Sequence, residues 1–182
     1  MADENVIELL LAQHARIEEL FKTVINSRGE ARRDSFDELV RLLAVHETAE
    51  EEVVHPMARR NVEAGDEVVD ARLGEERSAK ELLAQLYDAG VDDPGFDAGI
   101  VRLRDAVLAH AAHEERYEFP QLRASVDENR LRTAAGAVRA AEATAPTRPH
   151  PGVESAKANL MAGPAVAVLD RLKDAARHAM RS

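Results

Sequence analysis

A chain of 182 residues with a formal net charge of −10 and no cysteine is long enough for one domain with a sizeable core, or for one domain with an appendage, and too short for two full domains. The missing cysteines exclude disulfides and thiolate metal sites and are compatible with a reducing cytoplasm. Four Phe, two Tyr and no Trp, beside abundant Ala, Leu, Val, Glu and Arg, make the composition of an all-helical protein rather than of a β-sandwich. The N-terminal stretch MADENVIELLLAQH has acids where a signal peptide needs basic residues, and no run of about 18 apolar residues occurs, so a soluble, cytoplasmic protein is expected. Residues 1–128 carry 15 Lys+Arg against 30 Asp+Glu, a formal −15, while residues 129–182 carry 9 against 4, a formal +5. The acidic part repels phosphate, which argues against nucleic acid as the main partner. The basic part disperses its arginines and has no aromatic for base stacking, so it is expected to dock on the acidic part of its own chain.

Four helices follow from periodicity. In the first, Val6, Leu10, His14, Ile17, Phe21 and Val24 fall at steps of three or four, which places His14 inside an apolar stripe. After a polar loop from Gly29 to Asp34, the second stripe reads Phe36, Leu39, Leu43, His46, Glu50, Val53 and Met57. A third helix begins near Glu67 with Val69, Leu73, Glu76, Ala79, Leu83 and Leu86, and ends at Gly90 before the turn Asp92-Asp93-Pro94-Gly95. The fourth reads Phe96, Ile100, Leu103, Val107, His110, Glu114 and Tyr117. Helices two and four are expected to stop at Pro56 and Pro120.

From about residue 127 a separate unit follows, so the organisation expected is a bundle over 1–126 and a C-terminal helical extension over 127–182. Asn129 to Ala145 favours helix, whereas Thr144 to Gly152, with prolines at 146, 149 and 151, must be extended. A last helix is expected from about Pro164 to Met180, with Val168, Leu172, Ala175 and Ala179 on one side. The extension reads as a strap over the bundle, as a gate to its core, or as a dimer contact, and no role for His150 follows from the sequence. Both a monomer and a homodimer are compatible with the Ala-rich faces.

The two halves are repeats. HETAEEEVVHP, residues 46–56, aligns with HAAHEERYEFP, residues 110–120, keeping the histidine, the glutamate pair and the proline. His14 to Phe21 aligns likewise with Glu76 to Leu83. A pair of antiparallel helices is therefore used twice, which predicts an all-α, up-down four-helix bundle. His14, His46, Glu50, Glu76, His110 and Glu114 then converge on one core. Unpartnered buried carboxylates and imidazoles cost several kcal/mol each, so something must neutralise them. Misassigned surface positions, an internal salt-bridge network and a metal-free acid/base cluster are three accounts; a pair of divalent cations with bridging carboxylates is the fourth and fits the stoichiometry. A Glu four residues after a His shares its helix face, and the mixed nitrogen and oxygen donors favour iron or manganese over a structural zinc.

This pattern resembles the hemerythrin-like, or HHE cation-binding, domain: a histidine on helix one, His-x-x-x-Glu before a proline on helix two, a group on helix three, and His-x-x-x-Glu with Phe-Pro on helix four. The resemblance covers roughly residues 1–125, and the extension resembles tails of actinobacterial HHE proteins. It implies two non-haem iron ions in the bundle core, with manganese as the other ion that fits, and open coordination for dioxygen, peroxide or nitric oxide. By that resemblance the ligands are His14, His46, Glu50, His110 and Glu114, with Glu50 and Glu114 bridging. The sequence departs from the family pattern where helix three usually carries a histidine, since the repeat places Glu76 there. A carboxylate adds negative charge and stabilises the ferric state, which disfavours reversible oxygen carriage and favours redox turnover of peroxide. Glu75 is the fallback ligand, and a helix three that supplies none is the third account.

Tyr117, two turns after His110, is expected either beside the ligands, as a donor or radical trap, or as a core aromatic; Val53 holds its place in the other repeat. His55 and His113 lie one step off the ligand register and are expected to be partly exposed, and Glu51, Glu115 and Glu118 to be solvated or to back the ligands. The functional expectation is a catalase- or peroxidase-like di-iron protein acting in oxidative-stress defence on hydrogen peroxide or dioxygen. Oxygen or nitric oxide binding, sensing or iron storage without turnover is the alternative, and a structural bundle with a buried ionic cluster is the third.

Overall fold

The structure, a computed structural model, describes residues 4–142, with the side chains of residues 140–142 excepted. The expected extended stretch Thr144 to Gly152, His150 and the helix from Pro164 to Met180 lie outside the described residues. Seven α-helices are described: α1 (Val6–Asn26), α2 (Gly29–Ala49), α3 (His55–Asn61), α4 (Gly65–Ala89), α5 (Phe96–His113), α6 (Phe119–Ser125) and α7 (Glu128–Glu142). α2 runs on into α3, and α5 into α6, through five-residue π-helical turns at Glu50–Val54 and Glu114–Glu118. With those joins the chain forms the antiparallel four-helix bundle that the duplicated helix pair predicts.

Local sequence explains the ends. Asn5 caps α1 in a reciprocal box: its side chain accepts from the Ile7 and Glu8 amides, and Glu8 accepts from the Asn5 amide at 3.1 Å. Gly65 closes the turn into α4, where a Cβ would lie 2.6 Å from the Ala58 carbonyl oxygen. Gly90 ends α4 at φ +81°, a conformation that suits glycine.

Two expectations fail here. The polar run Gly29 to Asp34 is not a loop but the start of α2. Arg32 is buried in it, because its guanidinium lies 5.5 Å from the Phe96 ring centre, donates to the Ser27 carbonyl at 2.9 Å and pairs with Asp97 at 2.8 Å. Nor do the prolines stop their helices. In each π turn the amide of the residue before the proline, His55 or Phe119, donates to the carbonyl five residues back, at Glu50 or Glu114. The wider turn accommodates a following ring that has no N–H to give and would crowd an ordinary helix. It also inserts one residue, so every later side chain lags the simple helical register by about 100°.

The apolar interior is in two halves. Ile17, Phe21, Leu39, Leu43, Leu83, Phe96 and Leu103 fill the end nearest the α1–α2 turn. Val6, Leu10, Val54, Ala58, Val69, Phe119 and Leu122 fill the other end, where α7 adds Leu131, Ala134, Ala135 and Val138. The start of the C-terminal extension is thus held on α1 chiefly by apolar burial, with Arg139–Glu4 as an ion pair at its rim. In all four long helices the inward polar residues lie between these halves, as one layer.

Candidate metal centre

The structure brings His14, His46, Glu50, Glu76, His110 and Glu114 together in that layer, all buried. His46 Nε2 lies 2.9 Å from Glu50 Oε1, the one-turn pair expected of His-x-x-x-Glu. His14 Nε2 stands 3.4 Å from Glu114 Oε2 and 3.9 Å from Glu50 Oε1. His110 Nε2 lies 3.6 Å from both Glu50 Oε2 and Glu114 Oε2. All three imidazoles present Nε2 inward. Each Nδ1 is anchored outside: that of His46 to Gln13 Oε1 at 2.7 Å, that of His14 to Glu115 Oε1 at 2.8 Å, and that of His110 to Glu75 Oε2 at 3.1 Å. Anchoring the outer nitrogen fixes ring orientation and leaves the inner nitrogen as the donor, which is how metal-binding histidines are held.

The inner atoms fit cations. His14 Nε2, His110 Nε2, Glu76 Oε2 and both oxygens of Glu50 and Glu114 are buried without a well-aligned hydrogen-bond partner. Each such atom costs about 1–3 kcal/mol, more when charged, unless a positive ion meets it. Two groups of donor atoms lie close enough to share an ion: His14, His46, Glu50 and Glu114, and Glu50, Glu76 and His110. Glu50 belongs to both, with one oxygen toward each side.

Left to protons alone, the cluster polarises itself. Burial opposes a charged imidazole at His14, but hydrogen bonding and charge from Glu114 and Glu50 outweigh it and push the pKa up to about 10. His110 rises to about 10 against the same opposition, through Glu50 and Glu114. Burial alone would lift Glu50, yet the His46 charge and hydrogen bonds from His110, His14 and His46 hold it well below the usual carboxylate range. Glu114 goes the other way, raised by burial and by the Glu50 charge.

Residues 5–122 match the model of the hemerythrin HHE cation-binding domain. The chain belongs to the hemerythrin HHE cation-binding family. A hemerythrin HHE cation-binding domain-containing protein from Mycobacterium kansasii has a similar fold, with a TM-score of 0.68 and 22% identity over 77% of this chain and 86% of that one. A protein named DNA nickase from Nostoc sp. is 28% identical over 124 residues, which are 66% of this chain. The chain spans about a third, 34%, of that relative's length.

Within this HHE bundle several residues stand elsewhere than the spacing predicts. His55 is 3% exposed, not partly exposed, and its Nε2 lies 2.6 Å from Glu76 Oε1. Burial works against its charged form, but that hydrogen bond outweighs it and raises its pKa. Glu118 is buried beside Arg72, with burial first and then the Glu114 charge lifting its pKa to about 7. Tyr117 is 61% exposed and reaches neither the cluster nor the core. His55 follows one π turn, and Tyr117 and Glu118 lie in the other; the extra residue swings positions 55 and 118 inward and 117 outward. His113 is partly exposed as expected and lies 3.2 Å from Glu75. Glu75, the fallback ligand, holds the outer nitrogen of His110 instead, and Glu115 that of His14. Gln13 had no role by sequence; its signal is a polar residue four places from both Leu9 and Ile17 on a buried row.

A cavity of about 20 Å³, room for a water-sized guest, borders the HHE centre. His14, His46, Glu50 and His110 line it together with Leu43 and Val107. Lys80 covers the α2–α4 flank, 2.5 Å from Glu51, 3.5 Å from Glu47 and 3.7 Å from Glu76. No helix among the described residues is long and apolar enough to cross a membrane.

Proposed function

We propose that the HHE bundle holds two iron ions, with manganese the other ion its donors suit, and uses them to turn over hydrogen peroxide. His14, His46, Glu50 and Glu114 would hold one ion, and Glu50, Glu76 and His110 the other. The observation that carries the reading is the set of three imidazoles with anchored Nδ1 atoms and inward Nε2 atoms around a doubly shared Glu50. When bound, a pair of irons supplies or takes up the two electrons that reducing or oxidising one peroxide requires.

The chain's own part is selection and restraint. The cavity beside the donors suits a small oxidant, and Ile17, Leu43, Ala79 and Val107 give it a partly apolar lining. Gln13, Glu75 and Glu115 keep the three rings in place through a redox change. Glu76 adds negative charge beside the second ion, which favours its higher oxidation state and weighs against reversible oxygen carriage. DNA nicking is not carried over from the Nostoc relative, because the chain matches a third of it and residues 1–128 bear a formal −15.

The test is oxygen evolution and peroxide consumption by protein reconstituted anaerobically with ferrous iron. Many turnovers per chain, lost with Glu50→Gln, are expected. Tight iron binding with a single stoichiometric reaction would leave oxygen or nitric oxide binding, or iron storage, as the reading in its place.

A further inference from the structure

The repeat that aligns His14 with Glu76 also aligns Phe119 with His55, each standing one residue before its proline. The π turns swing residues 119 and 55 inward, and each meets the inward group that α1 or α4 supplies. Phe119 stacks on the His14 ring, with centres 5.8 Å apart and planes 15° from parallel. His55 Nε2 lies 2.6 Å from Glu76 Oε1. What is a histidine resting on a phenylalanine in one half is a glutamate held by a histidine in the other.

An ionised carboxylate only accepts hydrogen bonds, so His55 Nε2–H is the donor. That bond occupies Oε1 and leaves Glu76 Oε2, buried, without a hydrogen bond and 3.7 Å from the Lys80 ammonium, as the oxygen that a cation would take. With Phe at 55, Oε1 would face an apolar ring with no donor. With His at 76 alone, a ring nitrogen that accepts from His55 leaves the other nitrogen carrying the hydrogen, with no lone pair for a cation. We propose that His55 is the positioning residue of the Glu76 subsite, and that the two form one exchangeable unit that stands where the other half has a phenylalanine–histidine pair, so that losing the donor at 55 or the acceptor at 76 alone disables the subsite. The inference rests on reading the cluster as a two-ion site.

The test is a cobalt(II) titration of the chelator-treated full-length chain, following visible ligand-field bands and competing with a chelator of known affinity. Parent, His55→Phe, Glu76→His, the double variant and His55→Gln are compared. Each of the first two single changes is expected to weaken the second cobalt by about 10–100-fold. The double variant should regain most of that loss, with bands shifted because a nitrogen donor replaces an oxygen. His55→Gln keeps an N–H for Glu76 and should stay nearer the parent than His55→Phe does, which also guards against a phenylalanine variant that fails to fold. A double variant as weak as the two single losses combined would overturn the pairing, as would His55→Phe binding like the parent. A parent that binds two cobalts while no variant loses affinity overturns this inference alone; a parent that binds none overturns the two-ion reading and this inference with it.

Discussion

His46 Nδ1–H donates to Gln13 Oε1 over 2.7 Å, with both residues buried, so a side chain on α1 sets the ring orientation of a histidine on α2. The Gln carbonyl can only accept, which places a hydrogen on Nδ1 and turns Nε2 inward, 2.9 Å from Glu50, as the nitrogen that a cation would take. Gln13→Leu keeps the volume and removes the acceptor. It is expected to leave the helical content of the chain unchanged and to weaken metal binding by about 10–100-fold, measured by chelator competition. An affinity equal to the parent's would show that packing against α1 alone orients the ring.

The raised pKa values of His14 and His110 set a pH dependence for the chelator-treated protein. Each imidazole has a folded pKa of about 10 against an ordinary 6.5. Below 6.5 both are charged in the folded and unfolded chains, and their pairing with Glu50 and Glu114 contributes in full. As the pH rises toward 10 the unfolded chain has already lost these protons and the folded chain still holds them, so stability falls. Urea midpoints should decrease steadily over that window, while conditional metal affinity increases as protons leave the same nitrogens. Midpoints that stay level across the window would mean the carboxylates do not hold these imidazoles charged.

The expectation that Tyr117 assists the chemistry rested on its place seven residues after His110. In the structure its side chain is 61% exposed. Tyr117→Phe should therefore leave iron content, optical spectrum and peroxide turnover as in the parent. A clear loss of turnover with intact iron would require a path from the surface phenol to the centre.

That misplacement shows where the sequence was readable. Up to Glu50 and Glu114 the chain keeps an ordinary helical period, so spacing alone brings His14, His46, Glu50, Glu76, His110 and Glu114 into one layer. Beyond them each helix takes an extra residue in a π turn, and there the register read from spacing fails, at His55, Tyr117 and Glu118. The prolines were the available clue: each marks a helix that must either stop or widen, and periodicity cannot tell which. Among the outer anchors, Glu115 backs a ligand as the spacing allowed, whereas Gln13 and the anchoring role of Glu75 were illegible for another reason. Which polar neighbour meets a ring nitrogen depends on how adjacent helices rotate against each other, and no single-helix pattern records that.

Arg72 and Glu118 extend the buried polar layer beyond the ligands. Arg72 Nε lies 3.6 Å from Glu118 Oε1, and Glu118 Oε2 has no hydrogen-bond partner. Burial lifts the Glu118 pKa to about 7 even though the Arg72 charge pulls it down. Arg72→Met keeps much of the apolar stem and removes that charge, which raises the Glu118 pKa further. A carboxyl raised in the folded state is neutral at low pH in both states, and its contribution is lost as pH rises from its unfolded value through its folded one. Near pH 8 the variant must either bury an unpaired carboxylate or hold a proton there, at a cost on the order of 3 kcal/mol. Near pH 5 the parent's Glu118 is already mostly protonated, so the cost should shrink. Denaturant unfolding of the chelator-treated protein at the two pH values measures this, with Arg72→Met/Glu118→Gln expected to lose the pH dependence. An equal loss at both would assign the effect to the 3.2 Å contact of Arg72 with Glu75, and through it to the anchoring of His110.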